Sequence, residues 1–442
     1  VVKQRVTMIM PVGISRRFSV WGACLALVLA VPAAVPGLAA SLTAADGRHV
    51  FVRGVGYSPY HPTQGWNLTP ATQALDRRLL SGLNANCLLL WRPLSAEDAL
   101  AWYRAGWYTI PQVDYVPKIL SVFPNGQDAP VPVYVDPANR QGLREAASAL
   151  GARLKDSPGV LAISLGNDYA WSAFSGDLGF AYAGADDATL GAFRTWLWQR
   201  LGSEERFAEL IGRSAGRPQE ALPPLGLSPS PLYWEWWQFM RQTFSDYLKA
   251  GWEGVHAAGC GRPVTYAAPR SVRWDPAVEG VGLPYLEIVA GNLFHEKGLG
   301  FGAFCASLDR MICEADGRPV LITETGAHTL RDAATSAPRI LKQSLACALL
   351  HPEVAGVCLY EFCDNWQRAG NPSQQEDADA REHWGLVTGL RAPKPTYSAA
   401  AAMFAMMKRQ ETLLQEWQAP PEVLLSSQDL DWWRVGGNEA NY

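Results

Sequence analysis

Eight short runs of apolar, β-prone residues, each bounded by turn formers, constrain this chain more than any other feature. They span 49–58, 86–92, 107–115, 159–168, 263–268, 285–294, 319–324 and 356–363, with amphipathic helical patterns between them. The runs are continuously apolar, as strands buried on both faces must be. Eight such strands alternating with helices predict an α/β chain folded as a (β/α)8 TIM barrel, with the strand-end polar residues gathered on one face. Helical spacing is clear over Pro70 to Leu83, Arg140 to Leu154 and Ser336 to Leu350, and Gly82 and Gly151 are placed where C-caps would fall.

The fourth and fifth runs are too far apart for an ordinary connection. A helix around Ala188 to Leu201 and a Pro-rich stretch from Pro218 to Pro231 lie between them, so a subdomain over about 172–236 is expected after strand 4. The barrel is expected to occupy 41–414. Residues 415–442 form a tail, expected to pack on the barrel or to carry a short β extension.

Residues 1–40 read as an export signal. Arg16-Arg17 precede an apolar stretch from Val20 to Val35, and Gly37-Leu38-Ala39 supplies small residues for cleavage. This predicts a periplasmic or secreted protein with no membrane span once the signal is removed. Cys24 falls in that stretch; Cys87, Cys260, Cys305, Cys313, Cys347, Cys358 and Cys363 follow it, an odd number that leaves at least one free thiol unless chains pair. No zinc-type Cys/His spacing appears, so neither a metal nor a cofactor is expected.

Only 18% of the 442 residues are charged and the formal net charge is −4, which argues against nucleic acid as a partner. Eighteen Trp stand out in the composition. Indoles cover the apolar faces of sugar rings as readily as they fill a core.

Two of the apolar runs end in a carboxylate. Arg318-Pro319-Val320-Leu321-Ile322-Thr323-Glu324-Thr325-Gly326 delivers Glu324 at the end of strand seven, and Gly159 to Asn167 delivers Asp168 at the end of strand four. Barrel sites lie at the C-terminal ends of the strands, and a pair of carboxylates there suits glycoside hydrolysis. Bland readings stand beside this one: Glu324 as a salt-bridged strand end, Asp168 as a cap or turn residue. Trp91, Arg92, Asp114, Trp171, Glu361 and Trp366 occupy strand ends or loops of the same face and are candidate sugar ligands. Trp234-Glu235-Trp236-Trp237 fits either the site or a helix anchored in the core.

Several segments resemble the retaining β-glycosidases of clan A, notably the β-galactosidase, β-mannanase and β-glucanase barrels. Phe51-Val52-Arg53-Gly54-Val55-Gly56-Tyr57-Ser58-Pro59 is similar to their opening strand, and Gly166-Asn167-Asp168 stands where the family reads Gly-Asn-Glu. Thr323-Glu324-Thr325-Gly326 is similar to the nucleophile strand. Tyr360-Glu361-Phe362, His383-Trp384-Gly385-Leu386 and Lys394-Pro395-Thr396-Tyr397 resemble the eighth strand and its exit. The resemblance implies a carbohydrate substrate, Glu324 as nucleophile, Asp168 as acid/base and Asn167 on the sugar 2-hydroxyl.

Three departures accompany it. Asp168 is a methylene shorter than the family's Glu. Leu89 falls where the family carries an Arg beside the nucleophile, with Arg92 close by. In Asn292-Leu293-Phe294, Phe294 replaces a typical Tyr. Tyr57 and His295 are candidate substitute donors to Glu324 and, with Asn292, candidate sugar ligands. Carboxyls roughly 5 to 5.5 Å apart retain the anomeric configuration and those roughly 6.5 to 9.5 Å apart invert it, so the shorter Asp168 bears on the outcome. A transglycosylase that remodels polysaccharide and a barrel kept only for carbohydrate binding or assembly are the alternatives.

Overall fold

The computed structural model describes residues 40–117, 119–122, 129–168, 186–212, 230–269, 284–294, 300–330, 333–365 and 383–416. The expected signal, all but its last residue, lies outside these, as do 417–442 of the expected tail.

Eight parallel strands form one sheet: β1 (Val52–Gly56), β2 (Cys87–Leu90), β3 (Tyr108–Pro111), β4 (Ile163–Asn167), β5 (Val264–Pro269), β6 (Val289–Asn292), β7 (Val320–Thr325) and β8 (Val354–Leu359). Each overlaps one of the eight apolar runs; β5 and β7 end one residue beyond theirs, and β8 begins two residues before its run. Neighbours in sequence are neighbours in the sheet, and β8 returns to pair with β1. The remaining seam is bridged by hydrogen bonds from Leu161 N to Thr109 O (3.0 Å) and from Val113 N to Ser164 O (2.9 Å). The result is a TIM-like barrel.

Alternation along the strands sorts the core into two layers. Cys87, Leu89, Leu321, Ala355 and Cys358 join an inner cluster made of strand residues. Leu88, Leu90, Val320, Ile322, Val354 and Val357 join the larger cluster shared with the helices. A ribbon of Leu42–Thr43 paired with His49–Val50 adds Leu42, Ala44 and Val50 to the inner cluster, which plugs the end of the barrel where the strands begin. Burial of each Leu or Val contributes about 1.5–3 kcal/mol relative to exposure.

The helices are α1 (Pro70–Gly82), α2 (Ala96–Arg104), α3 (Pro137–Leu154), α4 (Asp187–Leu201), α5 (Glu204–Ile211), α6 (Pro231–Ala257), α7 (Gly300–Ala315), α8 (Ala333–Leu350) and α9 (Pro395–Glu416). The first five start on side-chain caps, Thr69, Ser95, Asp136, Asp186 and Ser203, each accepting a backbone N–H of the first turn.

Gly82 and Gly151 are not C-caps. Both are helical residues, and the left-handed caps belong to Gly202 (φ 77°) and Gly212 (φ 68°). Packing explains the first pair. A Cβ on Gly82 would meet the Tyr397 hydroxyl at 2.5 Å, and one on Gly151 would meet Val255 O at 3.1 Å where α3 and α6 cross.

Between β4 and β5 lie α4, α5 and α6, described over 186–212 and from 230 onward. α6 runs unbroken through position 236. Trp236 is fully buried, edge-on to Phe193 of α4 at 4.8 Å, which is the core alternative weighed for this Trp cluster. Glu235 pairs with Arg200 at 2.6 Å, while Trp234 is 52% exposed.

Candidate active site

Strict alternation would turn Glu324 away from the barrel interior. Leu321 lies in the inner layer and Ile322 in the outer one, so the interior phase falls next on Thr323. A β-bulge alters this: Gly291 pairs with Ile322, but the next residue, Asn292, pairs with Glu324. The extra residue lets both Thr323 and Glu324 address the interior. Thr323 Oγ1 donates to Asn292 Oδ1 at 2.7 Å, and Glu324 Oε1 accepts the indole N–H of Trp91 at 2.9 Å. β4 carries a similar irregularity between Ser164 and Asn167, immediately before Asp168. Each carboxylate therefore follows a break in its strand's register.

Asn292 joins the two strand ends. Its Oδ1 is occupied by Thr323, which fixes the amide so that Nδ2 donates to Asn167 Oδ1 (3.0 Å) and Asp168 Oδ1 (2.9 Å). Asn167 Nδ2 donates to Asp168 Oδ2 at 3.1 Å. Asp168 is exposed, in the left-handed region at φ 57°, and its backbone N–H is held by Ala267 O. Glu324, by contrast, is only 5% exposed.

Trp91 sits where it does because Gly56 leaves room. A Cβ there would lie 2.3 Å from the indole ring. Tyr360 meets Trp91 edge-on at 5.5 Å, Trp384 lies 5.8 Å from Tyr360, and Phe294 touches both Tyr360 and Trp384. His328 closes the series against Trp384 at 5.9 Å. Below Glu324, burial and the nearby Glu324 charge push the Cys358 thiol far above its ordinary range, so it stays protonated.

The loop bearing Trp384 is pinned by a buried ion pair. Lys394 Nζ donates to Asp364 Oδ1 (2.6 Å) and to His383 O (3.1 Å), while Gly385 N donates to the same Asp364 oxygen. Burial raises the Asp364 pKa and lowers that of Lys394, each opposed by the partner's charge.

Among the sequence candidates, Trp91, Asn167, Asp168, Asn292 and Glu324 are brought together. Tyr57 is not. It follows Val55 in the outer phase, is 5% exposed, and donates its hydroxyl to Asp76, the buried partner of Arg391. Tyr57 therefore serves the helix layer and donates nothing to Glu324. Glu361 is 1% exposed, buried beneath the mouth. Arg92 and Asp114 are exposed beyond β2 and β3. Trp171, His295 and Trp366 lie outside the described residues. Leu89 is inner-layer core, and Trp91, two residues on with the same phase, reaches the carboxylate. The sequence reading passed over Tyr360, Trp384, Thr323 and His328. Tyr360, Thr323 and Trp384 each stood inside a quoted motif, Tyr360 beside Glu361 and Thr323 beside Glu324.

Among the described residues no group of three or more His, Cys, Asp or Glu is arranged to hold a metal ion, and no helix is long and apolar enough to cross a membrane.

No protein-family model and no curated protein sequence matches the chain. Solved structures do. A β-galactosidase from Bacillus circulans sp. alkalophilus superposes with a TM-score of 0.63 at 14% identity, over 83% of this chain and 57% of that one. The chain shares its fold with that enzyme. A β-glucuronidase from Faecalibacterium prausnitzii (TM-score 0.52, 15% identity, 82% of this chain and 50% of that one) and the agarase AgWH50C (0.58, 14%, 78% and 50%) share it. The chain thus spans roughly half the length of these enzymes, 50% to 57%.

Proposed function

We propose that the protein is a glycoside hydrolase that cleaves a β-linked oligo- or polysaccharide with Glu324 as nucleophile and Asp168 as general acid/base. The observation that carries this reading is the coupling of two strand-end carboxylate positions through one amide: Asn292 donates to Asp168 and is paired in register with Glu324. The fold shared with a β-galactosidase, a β-glucuronidase and an agarase agrees with it.

In the first step Glu324 attacks the anomeric carbon as the bond to the leaving oxygen breaks and Asp168 supplies that oxygen with a proton. The leaving sugar departs as an alcohol, and a glycosyl ester remains on Glu324. Asp168, now a carboxylate, takes a proton from water, the water oxygen attacks the anomeric carbon, and Glu324 is released. Asn167, beside Asp168, is assigned to the sugar 2-hydroxyl. The rings of Tyr360 and Trp384, beside Trp91, are assigned to the apolar face of the sugar. A neutral indole, that of Trp91, donates to Glu324.

Domain division follows the same reading: a signal over 1–40, a catalytic barrel over 41–414 with a subdomain over about 172–236, and a tail over 415–442. The Arg16-Arg17 pair and the apolar stretch after it support action outside the cytoplasm.

The test is turnover of a panel of aryl β-glycosides and β-linked oligosaccharides by the full chain and by Glu324→Gln and Asp168→Asn. Hydrolysis that collapses in Glu324→Gln supports the assignment; hydrolysis unchanged in that variant refutes it. Sugar binding with no turnover of any panel member would favour the carbohydrate-binding alternative.

A further inference from the structure

Far from the strand ends, on the outer layer, two thiols meet. Cys305 of α7 and Cys347 of α8 lie with their sulfur atoms 3.1 Å apart, closer than two sulfurs rest in plain van der Waals contact. Four residues further along, Asp309 of α7 and His351, the residue that follows α8, pair at 3.7 Å. Positions i and i+4 share a helix face, so the thiol pair and the Asp309–His351 pair are two successive rungs along the seam between these helices. The second rung holds the first in register. Cys347 is 2% exposed and Cys305 is half-buried, which leaves one sulfur within reach of a reagent and the other shielded behind it.

We infer that Cys305 and Cys347 form a reversible disulfide that staples α7 to α8, with Cys305 as the attacking thiol and Cys347 as the resolving one. A disulfide bond needs a separation of about 2.05 Å, so the sulfurs must close by roughly 1 Å. The hydrogen bond from Cys347 holds Cys305 below the usual thiol range, against the effect of burial, and raises Cys347. That asymmetry, together with its greater exposure, favours Cys305 over Cys347 as the attacking sulfur.

The oxidant is a low-molecular-weight disulfide. Cys305 thiolate attacks one sulfur of glutathione disulfide, the S–S bond breaks, and one glutathione thiolate leaves. Cys347 then gives up its proton and attacks Cys305 Sγ, expelling the second glutathione thiolate. Two cysteine thiols are oxidised, one disulfide is reduced, and both protons end on glutathione. The closed loop contains β7, and with it Glu324. The inference rests on these two helices alone and is independent of the glycosidase reading.

The experiment incubates the full chain with glutathione disulfide, blocks remaining thiols with N-ethylmaleimide, and maps a non-reduced digest by mass spectrometry. A cross-linked pair of peptides holding Cys305 and Cys347 is expected, with a rise in Tm of roughly 5 °C that dithiothreitol reverses. Cys305→Ala and Cys347→Ser each abolish the cross-link and the rise, whereas Cys313→Ser, at an exposed thiol, leaves both intact. If Cys347→Ser fails to fold, the half-buried Cys305→Ala decides. Accumulation of Cys305 as a mixed disulfide with glutathione while Cys347 remains open to alkylation after unfolding would overturn the inference, as would a Tm rise that survives Cys305→Ala.

Discussion

The indole N–H of Trp91, at the end of β2, donates to Glu324 Oε1, at the end of β7, at 2.9 Å. A neutral donor thus meets a buried carboxylate at a position where a cation is the alternative. The bond orients the carboxylate toward the barrel mouth, where the proposed mechanism needs it against an anomeric carbon.

Trp91→Phe keeps an aromatic ring and removes the donor. A hydrogen bond to a charged group contributes about 1.5–3 kcal/mol, so kcat/KM should fall about 10- to 100-fold. Steady-state kinetics on the best aryl glycoside, with Tm measured alongside, separates this from a folding defect; an unchanged kcat/KM would remove Trp91 from the machinery.

Gly56→Ala should reach the same end by another route. The new Cβ would lie 2.3 Å from the Trp91 ring and displace the indole from Glu324. A loss of activity similar to that of Trp91→Phe is expected, with the two losses failing to add in the double variant. Full additivity would show that Gly56 acts elsewhere.

The eight strands were readable because a strand buried on both faces reads as a mostly apolar run, in which the few polar residues, such as Arg53 and Thr109, are themselves buried. Tyr57 was readable too, in hindsight: Val55 packs outward, and a residue two further on points the same way. The bulge at Thr323 was not. It depends on a one-residue offset between β6 and β7 that leaves no mark on composition, yet it decides that Glu324 faces inward. Nor did Gly82 and Gly151 announce themselves as packing residues, since the neighbours they accommodate, Tyr397 and Val255, are remote in sequence.

Asn292→Ala should affect the same step as Asp168→Asn, because it removes the amide that Asp168 accepts from across the barrel mouth. General acid catalysis is worth about 10²- to 10⁴-fold when the leaving group is poor. Both variants are expected to lose most of their activity on alkyl glycosides and little of the first step on dinitrophenyl glycosides. Pre-steady-state rates on the two substrate types make the comparison, and equal losses on both would place Asn292 and Asp168 outside proton transfer.

Lys394→Met should destabilise the fold by about 3–5 kcal/mol, since it strands Asp364 as an unpaired buried charge. The sign of the pH dependence follows from burial, which raises the Asp364 pKa in the folded state. A carboxyl raised on folding contributes stability below its unfolded pKa and loses it as pH rises through the folded value. The variant's Tm deficit relative to the parent should therefore shrink as pH is lowered toward the carboxyl range. A deficit that grows on acidification would contradict the role given to Asp364.

The central claim is that Glu324 attacks the anomeric carbon. Incubation with activated 2-deoxy-2-fluoro-β-glycosides, followed by peptide mapping, tests it most directly. The account predicts one glycosyl adduct per inactivated chain, on the peptide and side chain of Glu324, and none in Glu324→Gln. An adduct on another carboxylate, or hydrolysis of β-glycosides with inversion at the anomeric centre, would contradict it.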